Sequence, residues 1–545
     1  MKSLFILFGI LCAGLALVPG GVLGAILPGA EAGITVFRVV LGIFGVYLLA
    51  MPRFTVAGNP DDGAEYRDVA PVWVWGALLA ILAVAAGLRF YALERGIWYD
   101  EMLMHVSHMH LTPMQILTTF KDANNHILYT FLARLSIDAI GDTVTAIRLP
   151  AALFGIASIA AIYGFARRVM SWPEALAAAL LLALSYHHLW FSQNARGYTA
   201  LLFFSLLSSS FLIDAMRTGS TARWVAYAVA GALGAFTHLT IGFLFIGHFL
   251  FFLYRAARHR GDGTFPLWSG VFQGFGILTL LTLVLHAIVL PDILGGALLG
   301  SGLQGDSEWT NPLWALRELL GSLRLGFSGA GVLAAGGLVV LVGMARFARS
   351  DGAPVAFFVI PVGLAVLLMT SIGYTLFPRF FFFAMGFAIV IVIHGATAFG
   401  ALAARMLRVD GRLADWIAIA PALVLVAASA MSLPRAYYPK QSFTASIDYV
   451  EAHRDASDPV AVIGISDLPY NQYYQKGWVR IDTVADLDTL LAGGGRVWVL
   501  YTLPVQARTA HPDLMDRLER DFTTAETFWG TLGGGEIVVS VPGAG

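Results

Sequence analysis

The chain has 545 residues, of which 58% are hydrophobic and only 13% charged, with a mean hydropathy of +0.73. A soluble domain carries about 25% charged residues, so the composition excludes a soluble globular protein and predicts a polytopic α-helical membrane protein. The net charge of −1 excludes nucleic acid as a bulk partner, and the single cysteine, Cys12, excludes an intrachain disulfide framework or a thiolate cluster, leaving carboxylates and histidines as metal ligands.

Met1-Lys2-Ser3 precedes an apolar run to Leu27 that has the form of a signal sequence. A second run at Ile34–Met51 favours an uncleaved transmembrane hairpin instead. Further runs fall at 71–93, 146–166, 174–191, 199–214, 222–237, 239–254, 267–290, 326–345, 354–375, 380–400 and 414–432. Allowing for tilt and extension of the shorter ones, they predict a bundle of about thirteen spans. Arg167 with Arg168, Arg217 with Arg223, the Arg255–Arg260 cluster, Arg346 with Arg349, and Arg405, Arg408 and Arg412 occupy alternate loops. The positive-inside rule makes those loops cytoplasmic, with Lys2 inside and everything after Leu433 outside.

The opposite face collects the unusual polar residues. Loop 94–145 opens with Gly96-Ile97-Trp98-Tyr99-Asp100-Glu101 and continues to Lys121, Asp122, Asn125 and His126. It is too long for a simple connector. Thr112–Phe120 and His126–Ile137 read as short helices, the second with Ile127, Leu128, Phe131, Leu132 and Leu135 at helical spacing. Later outer loops carry His187, His188, Gln193, Asn194, Arg196 and Tyr198, then Thr237-His238, then Asp292, Asp306 and Glu308, then Phe377-Pro378-Arg379-Phe380. Each residue alone is equally well read as a snorkelling or interfacial group. Together, on one face, they predict a shared extracytoplasmic cavity.

From Pro434 the composition changes. Ser442–Arg454 reads as an amphipathic helix, Pro459–Ser466 and Arg496–Tyr501 as buried strands with a helix at Val484–Leu491 between them, and Ala525–Thr531 with Glu536–Val541 as a hairpin around three glycines. Its glycines lack dinucleotide or P-loop spacing, so this small α/β domain is assigned no cofactor. The expected division is an extra N-terminal hairpin and cytoplasmic loop at 1–70, a transmembrane catalytic core at 71–433 and an extracytoplasmic domain at 434–545.

A carboxylate held near an acceptor hydroxyl can take its proton. An arginine fork matches phosphate oxygens and stays charged. Facing each other at lipid depth, the two suit displacement of a lipid phosphate from a sugar, the arginine stabilising charge on the departing group. Adjacent His187 and His188 point apart on a helix and make a poor metal pair.

The order of motifs resembles the GT-C superfamily of integral-membrane glycosyltransferases, most closely the group holding protein O-mannosyltransferases and the lipid A aminoarabinose transferase. That group has an Asp-Glu pair in the first outer loop, matched by Asp100-Glu101. Its His-Pro-Pro-Leu-Tyr-Tyr segment, leading through Gly to Arg-Leu-Pro, is matched by Asn125-His126-Ile127-Leu128-Tyr129, Gly141 and Arg148-Leu149-Pro150. Its Ser-Gln-x-x-Arg-x-Tyr stretch is matched by Ser192, Gln193, Arg196 and Tyr198, its Thr-His turn by Thr237-His238, and its Pro-Arg-Tyr by Pro378-Arg379-Phe380. The resemblance covers 71–432; Ile127 and Leu128 replace two prolines, and Phe380 replaces a tyrosine.

The resemblance implies an inverting transfer of a sugar from a polyprenyl-phosphate donor to a glycan, lipid or protein hydroxyl, at the outer face of the plasma (inner) membrane. It implies Asp100 as general base and Glu101 beside it as an acceptor-orienting, cation-pairing or metal-binding group. Arg196 and Arg379 would hold the donor phosphate, while His126, Asn125, Gln193, Tyr198 and His238 would line the substrate site. No cofactor is required, and a divalent metal remains an open expectation. The alternatives are a lipid-linked polysaccharide ligase or polymerase and a secondary transporter. The last is disfavoured because the charges sit at helix ends and no internal repeat is visible.

Overall fold

The computed structural model describes residues 1–27, 30–55, 68–122, 124–259, 266–297, 311–323 and 330–543. Arg260, Asp306 and Glu308 lie outside the described residues. Among those described, ten helices are long and apolar enough to cross a membrane, or twelve if each of two bent pairs is one span. The protein is an integral multi-pass membrane protein. Both bent pairs fall on expected spans: Lys2–Ala16 turns by 91° into Gly20–Ile26, and Trp172–Ala183 turns by 56° into Tyr186–Ser192. Pro19 sits at the first break as N-cap of the second helix, with ψ 137°, and supplies no N–H to continue the first. At the second, the Ser185 hydroxyl accepts from the His188 N–H at 3.4 Å and starts a new helix. The remaining expected span, 222–237, is the helix Thr221–Thr237, whose 17 residues fall short of the usual ~20.

The chain forms two compact units. The first comprises Met1–Tyr91, Thr112–Leu135 and Arg148–Leu433. Several ionisable groups buried within its spans are paired, as a medium without water favours. Arg168 donates to both carboxylate oxygens of Asp214 at 2.8 and 2.7 Å. His394 Nδ1 lies 2.8 Å from a Glu174 oxygen that also accepts from Thr397 at 2.7 Å. Small residues let helices approach where no aqueous driving force exists. A side chain on Gly343 would strike the Ile391 carbonyl, and one on Gly395 would strike that of Val339. The N-terminal hairpin docks on the same unit through Tyr47, whose hydroxyl donates to the Phe272 carbonyl at 2.8 Å.

The second unit comprises Ala92–Leu111, Ser136–Ile147 and Pro434–Gly545, so the long loop is shared between the units. Its sheet has five strands, β1 (Val460–Ile463), β2 (Val479–Ile481), β3 (Trp498–Thr502), β4 (Phe522–Phe528) and β5 (Ile537–Pro542). The order is β2-β1-β3-β5-β4, with β1 parallel to both neighbours and β5 antiparallel to β3 and β4. The hairpin begins earlier than its apolar residues suggested, because β4 starts at Phe522 and carries an irregularity between Thr524 and Glu526. Strand β2 escaped the sequence reading because only Ile481 of its three residues is buried. The helix Pro512–Asp521 escaped it because only Leu514, Met515 and Leu518 face inward from an otherwise charged segment.

Gly395→Val is expected to force the two helices apart at a cost of roughly 1–3 kcal/mol. It should lower the unfolding midpoint in detergent, whereas Gly363→Ala, where the added Cβ meets nothing within 4 Å, should leave it nearly unchanged.

Candidate active site

In the first unit, three distant segments converge. The turn Asn194–Gly197 carries Arg196, which is 3% exposed. Its Nη1 donates to the Asn124 carbonyl at 2.9 Å, and its Nη2 lies 3.3 Å from His126 Nε2. The Gly197 N–H donates to His126 Nδ1 at 2.9 Å. Because that N–H can only donate, Nδ1 must accept, and the neutral ring carries its proton on Nε2. Two donors, Nε2–H and the Arg196 fork, therefore point at one region. Gly197 permits the approach: a Cβ there would meet the Thr237 methyl at 2.9 Å and His126 Nδ1 at 3.0 Å.

His238 follows the helix Thr221–Thr237 and stacks edge-on against His126 with centroids 4.5 Å apart. Thr240 N–H lies 3.3 Å from His238 Nδ1, so this ring too presents Nε2–H. Burial first, then the Arg196 and Arg379 guanidinium charges, push His238 down to about 3. Both cations thus act on one neutral imidazole. Arg379 is clasped by Phe377 and Phe380, with ring centroids 4.2 and 5.9 Å from its Cζ. Tyr198 is fully buried, 5.3 Å from the His126 ring and 5.4 Å from that of His238, and its hydroxyl has no hydrogen-bond partner among the described residues. Among the described residues no carboxylate forms an ion pair with Arg196. The result is a buried cluster rich in donors and positive charge, suited to an anion.

Two of the expected substrate-lining amides also hold the protein's own backbone. The Gln193 amide donates to the carbonyls of Leu88, Arg89 and Tyr91 at 3.5, 3.0 and 2.6 Å, fastening the end of the helix Trp73–Phe90. Asn125 accepts from Thr130 at 2.9 Å and donates to the Thr119 carbonyl at 3.2 Å, which fixes the start of the following helix. The sequence reading missed Arg89, fully buried near His188, whose Nδ1 is 2.7 Å from Arg89 Nη2. The signal was present: an arginine ends this span opposite the loops that the other arginines mark as cytoplasmic.

Asp100 and Glu101 belong to the second unit, in the first turn of a short helix, Tyr99–Met104. Glu101 is fully buried, and its Oε2 accepts from the Trp98 N–H at 3.4 Å, capping the helix that carries Asp100. The Tyr99 N–H donates to Gln441 Oε1 at 2.9 Å, and the Gln441 amide in turn donates to Thr502 and the Gly535 carbonyl at 2.8 and 3.0 Å. An open cleft of about 230 Å³ lies beside this helix, lined by Tyr99, Asp467, Gln472, Arg480 and His511. Gly464 forms its floor at the carboxyl end of β1, with φ +53° where a Cβ would meet His511. In an open parallel sheet, the crevice at strand carboxyl ends beside a switch in strand order is where ligands bind; β1, flanked by β2 and β3, occupies that switch.

Residues 124–262 match the family model described as dolichyl-phosphate-mannose-protein mannosyltransferase. An oligosaccharyltransferase from Archaeoglobus fulgidus, in complex with Zn and sulfate, superposes with a TM-score of 0.50 at 12% identity, over 83% of this chain and 72% of that one. The fold is that of the GT-C glycosyltransferases. ArnT from Cupriavidus metallidurans bound to undecaprenyl phosphate matches at TM-score 0.47 and 14% identity, over 87% of this chain and 99% of that one. Arabinosyltransferase EmbB from Mycobacterium smegmatis matches at TM-score 0.42 and 11% identity, over 75% and 45%. No curated protein sequence matches.

His238 stays unprotonated in the folded chain until about pH 3, whereas an unfolded histidine takes up its proton near pH ~6.5. The unfolded state then binds more protons through this window, so stability falls as pH drops from about 6.5 towards 3. His238→Gln should make the unfolding midpoint in detergent fall less steeply over that acidic range.

Proposed function

We propose that the protein is an inverting glycosyltransferase that moves a sugar from a polyprenyl-phosphate donor to a hydroxyl acceptor at the extracytoplasmic face of the plasma membrane. The observation that carries this reading is the gathering of Arg196, His126 and His238 donors, with the Arg379 charge, in a buried wall where no carboxylate pairs with Arg196 among the described residues. A lipid phosphate supplies the missing negative charge, and its oxygens accept from the converging N–H groups. The matched family model, named for a polyprenyl-phosphate sugar donor, spans His126, Arg196 and His238.

In the proposed reaction Asp100 accepts the acceptor hydroxyl proton as its oxygen attacks the anomeric carbon. The bond from that carbon to the phosphate oxygen breaks, and the phosphate leaves with charge stabilised by Arg196 and Arg379. One displacement inverts the anomeric centre without a covalent sugar intermediate. Glu101, Trp98 and Gln441 act as positioning residues, holding the turn that presents Asp100. The cleft beside Tyr99 is the acceptor surface in this reading, its hydroxyl, amide and charged groups suiting a polar, hydroxyl-bearing molecule.

Purified protein supplied with labelled polyprenyl-phosphate sugar should release free lipid phosphate; uptake into vesicles without release would sink the reading. Asp100→Asn should lower turnover by about 10²–10⁴-fold while donor binding persists. Near-normal turnover in that variant removes Asp100 from the chemistry. Arg196→Ala should raise the donor concentration needed for half-maximal rate by roughly tenfold or more, the worth of a charge-assisted hydrogen bond. An unchanged dependence on donor would exclude Arg196 from phosphate binding.

A further inference from the structure

A second group of polar side chains lies in the second unit, just beyond the helix that carries Asp100. The helix Tyr99–Met104 continues into a π-helical turn, His105–Met109, followed directly by His110. In an α-helix, residues five apart are rotated by about 140° and face different ways. In a π turn the hydrogen bond runs to the fifth residue, so residues five apart stack on one face, and such turns recur at functional sites. His105 and His110 accordingly lie with ring centroids 4.5 Å apart. Asp142, from the turn that precedes the helix Val144–Arg167, reaches both rings. One carboxylate oxygen is 2.8 Å from His105 Nε2, and the other is 3.8 Å from His110 Nε2. The three ligand atoms all lie within 4.8 Å of one another.

We propose that His105, His110 and Asp142 form a binding site for one divalent cation of the zinc class. Metal–nitrogen and metal–oxygen bonds of ~2.0–2.2 Å place tetrahedral ligand atoms ~3.4 Å apart, between the two separations seen. Two imidazoles and a carboxylate suit zinc and its borderline neighbours rather than magnesium or calcium, which take oxygen sets. Three protein ligands leave the fourth position to water, and the half-exposed His110 and Asp142 keep that position open to solvent. His105 Nδ1 is buried, with no hydrogen-bond partner among the described residues. The ring therefore lacks the outer support that strengthens tight sites by about 10–100-fold, which sets the expected affinity at micromolar, not at that of a closed structural centre. A bound ion would tie the end of the Asp100 helix to the 142 turn and stiffen it. The inference stands on this geometry whether or not the chain transfers sugar.

The test uses full-length protein purified without a polyhistidine tag and stripped with chelator, titrated with Zn²⁺ by calorimetry and with Co²⁺ by visible absorption. The expected result is one Zn²⁺ per chain at micromolar affinity, a cobalt spectrum of low coordination number, and a raised unfolding midpoint with added zinc. His110→Ala and Asp142→Asn, both at exposed positions, should each weaken binding at least tenfold while the metal-free midpoint stays at the parent value. His105→Gln should do the same for binding. Absence of saturable zinc binding in the parent protein would overturn the proposal. So would zinc binding of parent strength and stoichiometry in the His110→Ala and Asp142→Asn variants.

Discussion

A guanidinium withdrawn from water inside an apolar bundle must find acceptors, and this requirement organises the first unit. Arg168 meets it with the Asp214 carboxylate. Arg89 meets it with two backbone carbonyls and an imidazole. Arg196 is different: it has one carbonyl and sits against a histidine nitrogen that presents a proton. Buried charge incompletely matched by the protein's own groups is costly, and the proposed lipid phosphate would offset that cost. The nearby neutral His238, the ring-clasped Arg379 and the bare Tyr198 hydroxyl belong to the same arrangement.

The second unit solves a different problem, holding a six-residue helix that is too short to be stable alone. Its first turn is fastened by the Glu101 carboxylate within the helix and by Gln441 from outside it. Gln441 is itself bound to the strand end at Thr502 and to the Gly535 carbonyl. The α/β domain thus reaches the backbone beside Asp100 through one glutamine. The π turn beyond the helix then re-aims two histidines towards Asp142.

Much of the candidate site was legible because its residues are chemically out of place. Arg196, His238 and Arg379 interrupt apolar chain at helix ends, where a charge demands explanation, and short motifs shared with membrane glycosyltransferases put them in order. Gln193 and Asn125 stood in the same motifs, yet their amides tie backbone. A motif shows that an amide is needed, not whether a ligand or a carbonyl needs it. Arg89 was hidden inside an apolar window whose average hydropathy masks one charge. The His105, His110 and Asp142 cluster was invisible because α-helical periodicity puts residues five apart on different faces.

Local patterns along the chain are enough to establish that it crosses the membrane many times, which segments do so, and that an α/β domain follows. Hydrophobic run length and strand alternation are local properties that burial enforces residue by residue. Which donors converge, which amides fasten backbone, and where a π turn replaces an α turn emerge from the folded chain alone. Those outcomes depend on contacts between segments tens to hundreds of residues apart, as with Gly197 against His126 or Tyr99 against Gln441, and no local pattern encodes them.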